Sequence, residues 1–150
     1  MTIHGPLLAA TVAVASTGAL LAWARRHLLL VTVQGPSMQP TLHNGDQLIV
    51  LRNPRRLHSG DIIVLEPRSP HRPLTQPRWL IKRLIALPGD LVPAHLFSTL
   101  PNETTVPPGH FIVLGDNPDR SYDSRQHGYF TTTSILGTVI YPRHSNKTQP

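Results

Sequence analysis

The chain contains no cysteine, which removes several kinds of chemistry at once. Disulfide bonds, thiol nucleophiles, zinc–thiolate sites and iron–sulfur clusters all require cysteine. Charged residues make up only 15% of the sequence and aromatic residues only 5%, although the net charge is +6. No more than two arginines are adjacent, and few rings are available to stack on bases. This pattern argues against a dedicated nucleic-acid-binding protein, while the positive charge suits an anionic surface such as lipid.

One long run has no charged side chain. Residues Gly5–Ala24 have the sequence GPLLAATVAVASTGALLAWA, and a helix of this length, rising about 1.5 Å per residue, just crosses a hydrocarbon core of roughly 30 Å. We expect a transmembrane anchor over 5–24 after a short segment 1–4, with Trp23 and Arg25–Arg26 at one interface. Two other interpretations stay open, a signal peptide cleaved near Ala22-Trp23-Ala24 and a buried helix of a soluble domain.

The remainder of the 150-residue chain is expected to form one domain over 25–143, followed by a disordered tail over 144–150. Sixteen prolines and ten glycines favour short strands joined by turns. The proline-rich segments Arg68–Pro77 and Pro93–Pro108 predict loops. The fold class that follows is mainly β, an antiparallel and partly closed β-barrel-like sheet. Short apolar segments bounded by Gly, Pro, Asn or Asp predict its strands at Asp46–Leu51, Asp61–Glu66, Trp79–Ala86, His110–Leu114 and Ile135–Tyr141.

The segment Gln34–Thr41, with the sequence QGPSMQPT, is the first that could carry chemistry. Gly35 and two prolines fix a tight, irregular backbone around Ser37, which would hold its hydroxyl in place without a helix or a strand. On this segment alone, an ordinary Gly-Pro-Ser turn is the favoured interpretation.

Lys82 lies within a predicted strand, where alternate side chains point to opposite faces. It shares one face with Leu80 and Leu84, so its ammonium is flanked by apolar neighbours and its pKa should be lowered by desolvation. A neutral lysine can take a proton from a serine hydroxyl. The alternative is a lysine that extends to water from the rim of the sheet. The neighbouring Arg83 cannot be the base because its pKa is too high.

The loop Gly115–Arg125, with the sequence GDNPDRSYDSR, combines three carboxylates, two arginines and two serines. Its oxygen donors could hold a cation. Two features argue against a calcium site. The bidentate acid that closes an EF-hand loop is missing, and the two arginines compete for the carboxylates. We therefore predict a cross-linked loop with an ion pair between Asp123 and Arg125, and we expect neither a metal nor a cofactor.

These three segments together resemble the motifs of the type I signal peptidases, in the right order and after one N-terminal hydrophobic segment. The motifs are GPSMQPTL around Ser37, IKRLIALPGD around Lys82 and GDNPDRSYDSR over Gly115–Arg125. The resemblance spans about Val31 to Tyr141. The short chain is similar to the small forms of the family, the actinobacterial signal peptidases and the mitochondrial inner-membrane protease subunits.

The resemblance implies a signal peptidase fold and a set of site residues. Ser37 matches the nucleophile and Lys82 the general base, while Ser121 matches a serine that orients the lysine amine. The other matches are Met38 for shaping the cleft, Asp123 and Arg125 for a supporting ion pair, and Gly115, Asp116 and Asn117 for the turn beneath the site. Two positions depart from the family. Gly35 stands where some members have a serine that stabilises the oxyanion, and Pro118 stands where many have arginine.

The function implied is that of a membrane-anchored serine endopeptidase that removes signal or leader peptides from exported preproteins. Its partners would be preprotein substrates, the lipid bilayer and a possible second peptidase subunit, with no nucleic acid. The resemblance places the catalytic domain on the extracytoplasmic side of the cell membrane, or facing the intermembrane space in mitochondria, although Arg25 and Arg26 would favour the opposite orientation. Alternatives are a maturation peptidase for one partner protein, a LexA-like self-cleaving regulator and a catalytically silent membrane-anchored binding module.

Overall fold

The computed structural model of the protein describes residues 4–66, 79–97, 99–100 and 104–143. The predicted loop Arg68–Pro77 and the predicted tail 144–150 lie outside these residues. The chain begins with helix α1 and continues into strands, with a short helix, α2, near its end. The bounds are α1 His4–His27, β1 Leu28–Thr32, β2 Gln47–Arg52, β3 Ile62–Leu65, β4 Leu80–Ala86, β5 His110–Leu114, α2 Ser124–His127, β6 Phe130–Thr131 and β7 Ile135–Arg143.

Helix α1 covers the uncharged run of the sequence and ends in a basic turn. Arg25, Arg26 and His27 occupy its last turn, where positive charge interacts favourably with the helix dipole. β1 follows at Leu28 without an intervening loop. Within the part of the chain that the structure describes, no helix is both long and apolar enough to cross a membrane.

The strands form one antiparallel sheet in the order β1-β2-β7-β3-β4-β5-β6. The strand β7 lies between β2 and β3, so the last of the described strands joins the two halves of the sheet. Among the described strands, β1 and β6 are the two edges and do not pair with each other. The sheet is therefore not closed: the predicted mainly β, antiparallel sheet is confirmed, and the pairing of the described strands shows no closure. The two-residue strand β6 is too short an edge to continue the pairing.

The predicted strands all occur, with bounds that shift by one or two residues at most ends. Two strands were missed. β1 has the apolar sequence LLLVT but follows the helix directly, with no turn residue to mark the boundary. β6 contains only Phe130 and Thr131, which is too short for a pattern to show.

The core consists of three groups of buried side chains. One is formed mainly by β1, β2 and the segment containing Met38, and the second by β3, β4 and β5. The third includes Leu96, Leu100 and Val106, from the segment predicted as a loop. That segment contains a 3-10 turn at Ala94–Leu96, and its Thr105 forms a β-bridge with Leu91 just before it, so the prediction of a plain loop needs correction. Its apolar residues are buried because they pack against Ala86 at the end of β4 and Ile112 in the middle of β5.

Candidate active site

Ser37 lies in an irregular turn directly after β1 and is held there by its neighbours. Gly35 has φ +86°, a left-handed conformation that favours glycine, and its N–H donates to Asn44 Oδ1 at 2.9 Å. Met38, next to Ser37, is only 1% exposed and packs into the first core group. Because Met38 is buried and Gly35 is hydrogen-bonded, both sides of the half-buried Ser37 are fixed.

Lys82 extends from the middle of β4 and is 3% exposed. It lies on the same face of the strand as the fully buried Leu84, as the alternation of side chains requires. Its Nζ donates a hydrogen bond to Ser121 Oγ at 2.9 Å. The amine of this buried side chain therefore has a defined polar partner.

A chain of hydrogen bonds continues from Lys82 through the Gly115–Arg125 loop. Ser121 Oγ donates to Asp123 Oδ2 at 2.6 Å. Arg125 Nη2 contacts the same oxygen at 2.6 Å, and its Nε donates to Oδ1 at 2.9 Å. A serine hydroxyl has one proton, and Asp123 accepts it, so the Ser121 oxygen can only accept from Lys82. The direction of every bond in the chain is thereby fixed.

This environment lowers the pKa values of both Lys82 and Asp123, although burial alone would lower the first and raise the second. Burial lowers the pKa of the Lys82 ammonium; the charge of Asp123 raises it in part and that of Arg125 lowers it further. Burial alone would raise the pKa of the Asp123 carboxyl, but hydrogen bonds from Arg125, the Gly115 N–H and Ser121 outweigh it and lower the pKa to about 2. Asp123 is thus ionised throughout the neutral range, while Lys82 is biased toward the neutral amine.

Gly115 and Asn117 bring the loop against the turn that contains Ser37. The Asn117 N–H donates to the Ser37 carbonyl at 3.0 Å. A Cβ at position 115 would lie 2.6 Å from that carbonyl oxygen and 2.6 Å from Ser121 Cβ. Only glycine fits this approach, because any side chain would push apart the segments that carry Ser37 and Ser121.

The other face of β4 carries a second ion pair to the same loop. Arg83 Nε and Nη2 donate to the two carboxylate oxygens of Asp116 at 2.8 and 2.6 Å, and Nη1 donates to the Gly60 carbonyl at 2.9 Å. Burial alone would raise the pKa of Asp116, but the Arg83 and Thr41 hydrogen bonds lower it overall. The sequence analysis gave Arg83 no partner. The antiparallel pairing of Arg83 with Leu114, two residues before Asp116, is what brings the two together.

Ser37 and Lys82 line one cleft of about 440 Å³. β1 and the turn after it form one wall and the start of β4 another. Apolar side chains from both walls, among them Leu30, Val33 and Leu80, contribute much of the lining. Arg120 and Tyr122, which the sequence analysis did not single out, line it from the loop. Across the described ranges, no group of three or more His, Asp or Glu side chains could hold a metal ion.

The geometry brings the predicted site residues together. Ser37, Met38 and Lys82 line the cleft, and Ser121 contacts Lys82 directly. The remaining predicted residues do not line the cleft. The Asn117 N–H donates to the Ser37 carbonyl, Asp123 contacts Ser121, the Gly115 N–H and Arg125 contact Asp123, and Asp116 pairs with Arg83. A serine and a buried lysine thus line the same cleft, and these are the residue types that Ser–Lys catalysis uses.

Comparison with known proteins identifies the family. A family model described as "Signal peptidase, peptidase S26" matches residues 7–95 and 93–143. Mitochondrial inner membrane protease subunit 1 of Xenopus tropicalis is 40% identical, over 77% of this chain and 71% of that protein. A probable signal peptidase I-2 of Synechocystis is 31% identical, over 72% of this chain and 59% of that protein. A crystal structure of a signal peptidase I from Enterococcus faecalis V583 covers 56% of this chain and 97% of that chain, with 28% identity and a TM-score of 0.40.

These matches show that the protein is a hydrolase of the serine-protease class. The chain belongs to the signal peptidase family, peptidase S26, and acts as a peptidase on signal or leader peptides.

Proposed function

We propose that the protein is a membrane-anchored endopeptidase that cleaves leader peptides from preproteins with a Ser37/Lys82 dyad. The observation that carries the proposal is the buried Lys82 amine, which shares a cleft with Ser37 and whose Nζ donates a hydrogen bond to the Ser121 hydroxyl. Burial biases that amine toward its neutral form, which is the form that can accept a proton.

In the proposed reaction, neutral Lys82 takes the proton of the Ser37 hydroxyl while Ser37 Oγ attacks the carbonyl carbon of the scissile peptide bond. The C–N bond then breaks, Lys82 returns the proton to the leaving amine, and an acyl-enzyme ester remains on Ser37. A water molecule gives a proton to Lys82 and attacks the ester carbon. Release of the acid and return of the proton to Ser37 complete the cycle.

Backbone N–H groups are the candidates for stabilising the tetrahedral oxyanion. Gly35, two residues before Ser37, has no hydroxyl to offer. Within the described part of the chain, the N–H groups of Ser37 and Met38 have no hydrogen-bond acceptor, and they lie beside the nucleophile. Such fixed donors can stabilise a developing negative charge.

Ser121, Asp123 and Arg125 would orient the base rather than touch the substrate. Because Ser121 accepts from one Nζ proton, the Lys82 amine cannot turn freely, and its lone pair is directed to the remaining space of the cleft. Asp123 would fix Ser121, and Arg125 and the Gly115 N–H would fix Asp123.

Membrane anchoring by residues 5–24 is part of the proposal. Its support is the uncharged sequence of that segment, which lies within the single helix α1 immediately before the catalytic domain. The relatives named as mitochondrial inner membrane protease subunits and signal peptidases support a membrane location. We place the catalytic domain on the extracytoplasmic side, or in the intermembrane space if the protein is mitochondrial. The word "subunit" in the relative's name also supports a second peptidase subunit as a possible partner.

The test is cleavage of a preprotein with an Ala-x-Ala site by the full chain in liposomes, with mass spectrometry of the products. Cleavage after the last alanine should be lost in Ser37→Ala and in Lys82→Ala. The matched controls are Ser59→Ala, which removes an exposed hydroxyl bonded to the Ile85 carbonyl, and Lys147→Ala, which removes the one other lysine of the sequence. Cleavage that survives either dyad substitution would overturn the mechanism. Loss of cleavage in both controls would also overturn it, because the loss in the dyad variants would then be a general effect of mutation.

A further inference from the structure

Two side chains of the Gly115–Arg125 loop line the cleft without taking part in the Lys82–Ser121–Asp123 chain. They are Arg120 and Tyr122, which lie on either side of Ser121 in the sequence, and both are exposed. The Arg120 N–H donates to the Asn117 carbonyl at 3.2 Å, which closes the 3-10 turn Pro118–Arg120. The backbone of Arg120 is thus fixed at the edge of the cleft that this residue lines.

The charges around the cleft are of one sign. None of the lining residues is Asp or Glu among those that the structure describes, and the charged ones are Lys82 and Arg120. The Lys82 amine is buried and hydrogen-bonded to Ser121. The Arg120 guanidinium, by contrast, has no ion-pair partner in the described part of the molecule. It is therefore the positive charge that a bound peptide can reach.

We propose that Arg120 is a specificity-determining residue that selects an Asp or Glu side chain of the substrate close to the scissile bond. The inference rests on the proposed function, since it assumes that the peptide is cut at Ser37. Arg120 adjoins Ser121, which contacts the proposed base directly, so the carboxylate it selects lies within a few residues of the cut. A planar guanidinium can bind a carboxylate through two parallel hydrogen bonds, which gives geometric as well as charge selectivity.

The expected preference is modest because the pair is exposed to solvent. Exposed ion pairs contribute little, so we expect an Asp substrate to be cleaved about 2- to 5-fold more efficiently than its Asn counterpart at the selected position. The preference should shrink as salt is added, because salt screens exposed charges.

The experiment uses the full chain in detergent and a set of peptides with a neutral Ala-x-Ala core. A single Asp, Asn or Lys is moved through the three positions on each side of the cut, and kcat/KM is measured for each. The variants are Arg120→Gln and Arg120→Glu. The matched control is Arg56→Glu, which changes the net charge equally at an exposed position outside the cleft.

We expect wild type to prefer Asp over Asn at one position, R120Q to lose the preference and R120E to prefer Lys there. An equal change in R56E would overturn the inference, because the effect would then come from net charge. Wild-type cleavage of all peptides without a charge preference would overturn the inference and leave the proposed function intact. Failure of wild type to cut any peptide would overturn both.

Discussion

Asp123→Asn should move the pH dependence of cleavage toward acid, because Asp123 is the carboxylate that stabilises the charged form of Lys82. Lys82 Nζ reaches Asp123 through one intervening hydroxyl, Ser121 Oγ, with hydrogen bonds of 2.9 and 2.6 Å. A unit charge roughly 5 Å away contributes about 3 kcal/mol at an effective dielectric constant of about 20, which corresponds to roughly two pH units. Loss of that charge lowers the pKa of Lys82 further.

The sign follows from the proposed role of Lys82. The general base must be neutral, so kcat/KM rises with pH through the pKa of Lys82 in the free enzyme. With Asp123 neutralised, Lys82 loses its proton at lower pH, and the midpoint of the rise should fall by about one to two pH units. The plateau should fall as well, since Ser121 loses its carboxylate acceptor. The midpoint is the diagnostic quantity, because a purely structural defect would lower the plateau alone.

The assay is a kcat/KM profile for one preprotein between about pH 5 and pH 10, with circular dichroism at each pH to verify folding. Asp116→Asn is the matched control. It removes a carboxylate that is also paired with an arginine next to the site, but Asp116 is not among the charges that shift the pKa of Lys82. A midpoint that stays at the wild-type value in D123N, or that moves equally in D116N, would refute the electrostatic coupling of Asp123 to Lys82.

Two further predictions concern stability and steric fit. The pKa of Asp123 is about 2 in the folded protein, against an ordinary value of 3.8. Its ionised form therefore contributes fully to the free energy of unfolding at pH values above 3.8, and this contribution is lost as the pH falls through about 2. Urea unfolding of wild type should show a loss of about 2 kcal/mol between roughly pH 4 and pH 2 that D123N lacks, and parallel curves would contradict this. Gly115→Ala and Gly137→Ala should both destabilise by about 1–3 kcal/mol, since each new Cβ meets packed atoms. Only G115A should lose cleavage at temperatures where both variants are folded, because its Cβ separates Ser37 from Ser121; equal activity of the two would show that this contact does not position the site.

The individual strands of this molecule could be predicted from local sequence patterns, whereas the order in which they pair could not. Period-two alternation places Lys82 on the buried face of β4, and bounding turn residues mark the other predicted strands. The order of the sheet depends on β7, which pairs with β2 and β3 from much earlier in the chain. No pattern within a window of ten residues contains that information. The same limit explains why the open edge at β6 and the burial of Leu96, Leu100 and Val106 were missed.

Lys82 and Arg83 are consecutive residues of β4, and together they connect both faces of this strand to the Gly115–Arg125 loop. Neighbouring residues of β4 point to opposite faces, so the two cations are kept apart although they are consecutive. Arg83 forms an ion pair with Asp116 at the start of the Gly115–Arg125 loop, and Lys82 contacts Ser121, which is bound to Asp123 near its end. The arginine therefore holds the loop against the sheet by an interaction that its high pKa makes permanent. Because Arg83 and Arg125 already pair with Asp116 and Asp123, Lys82 is the cation of these three that can lose its proton in the proposed mechanism.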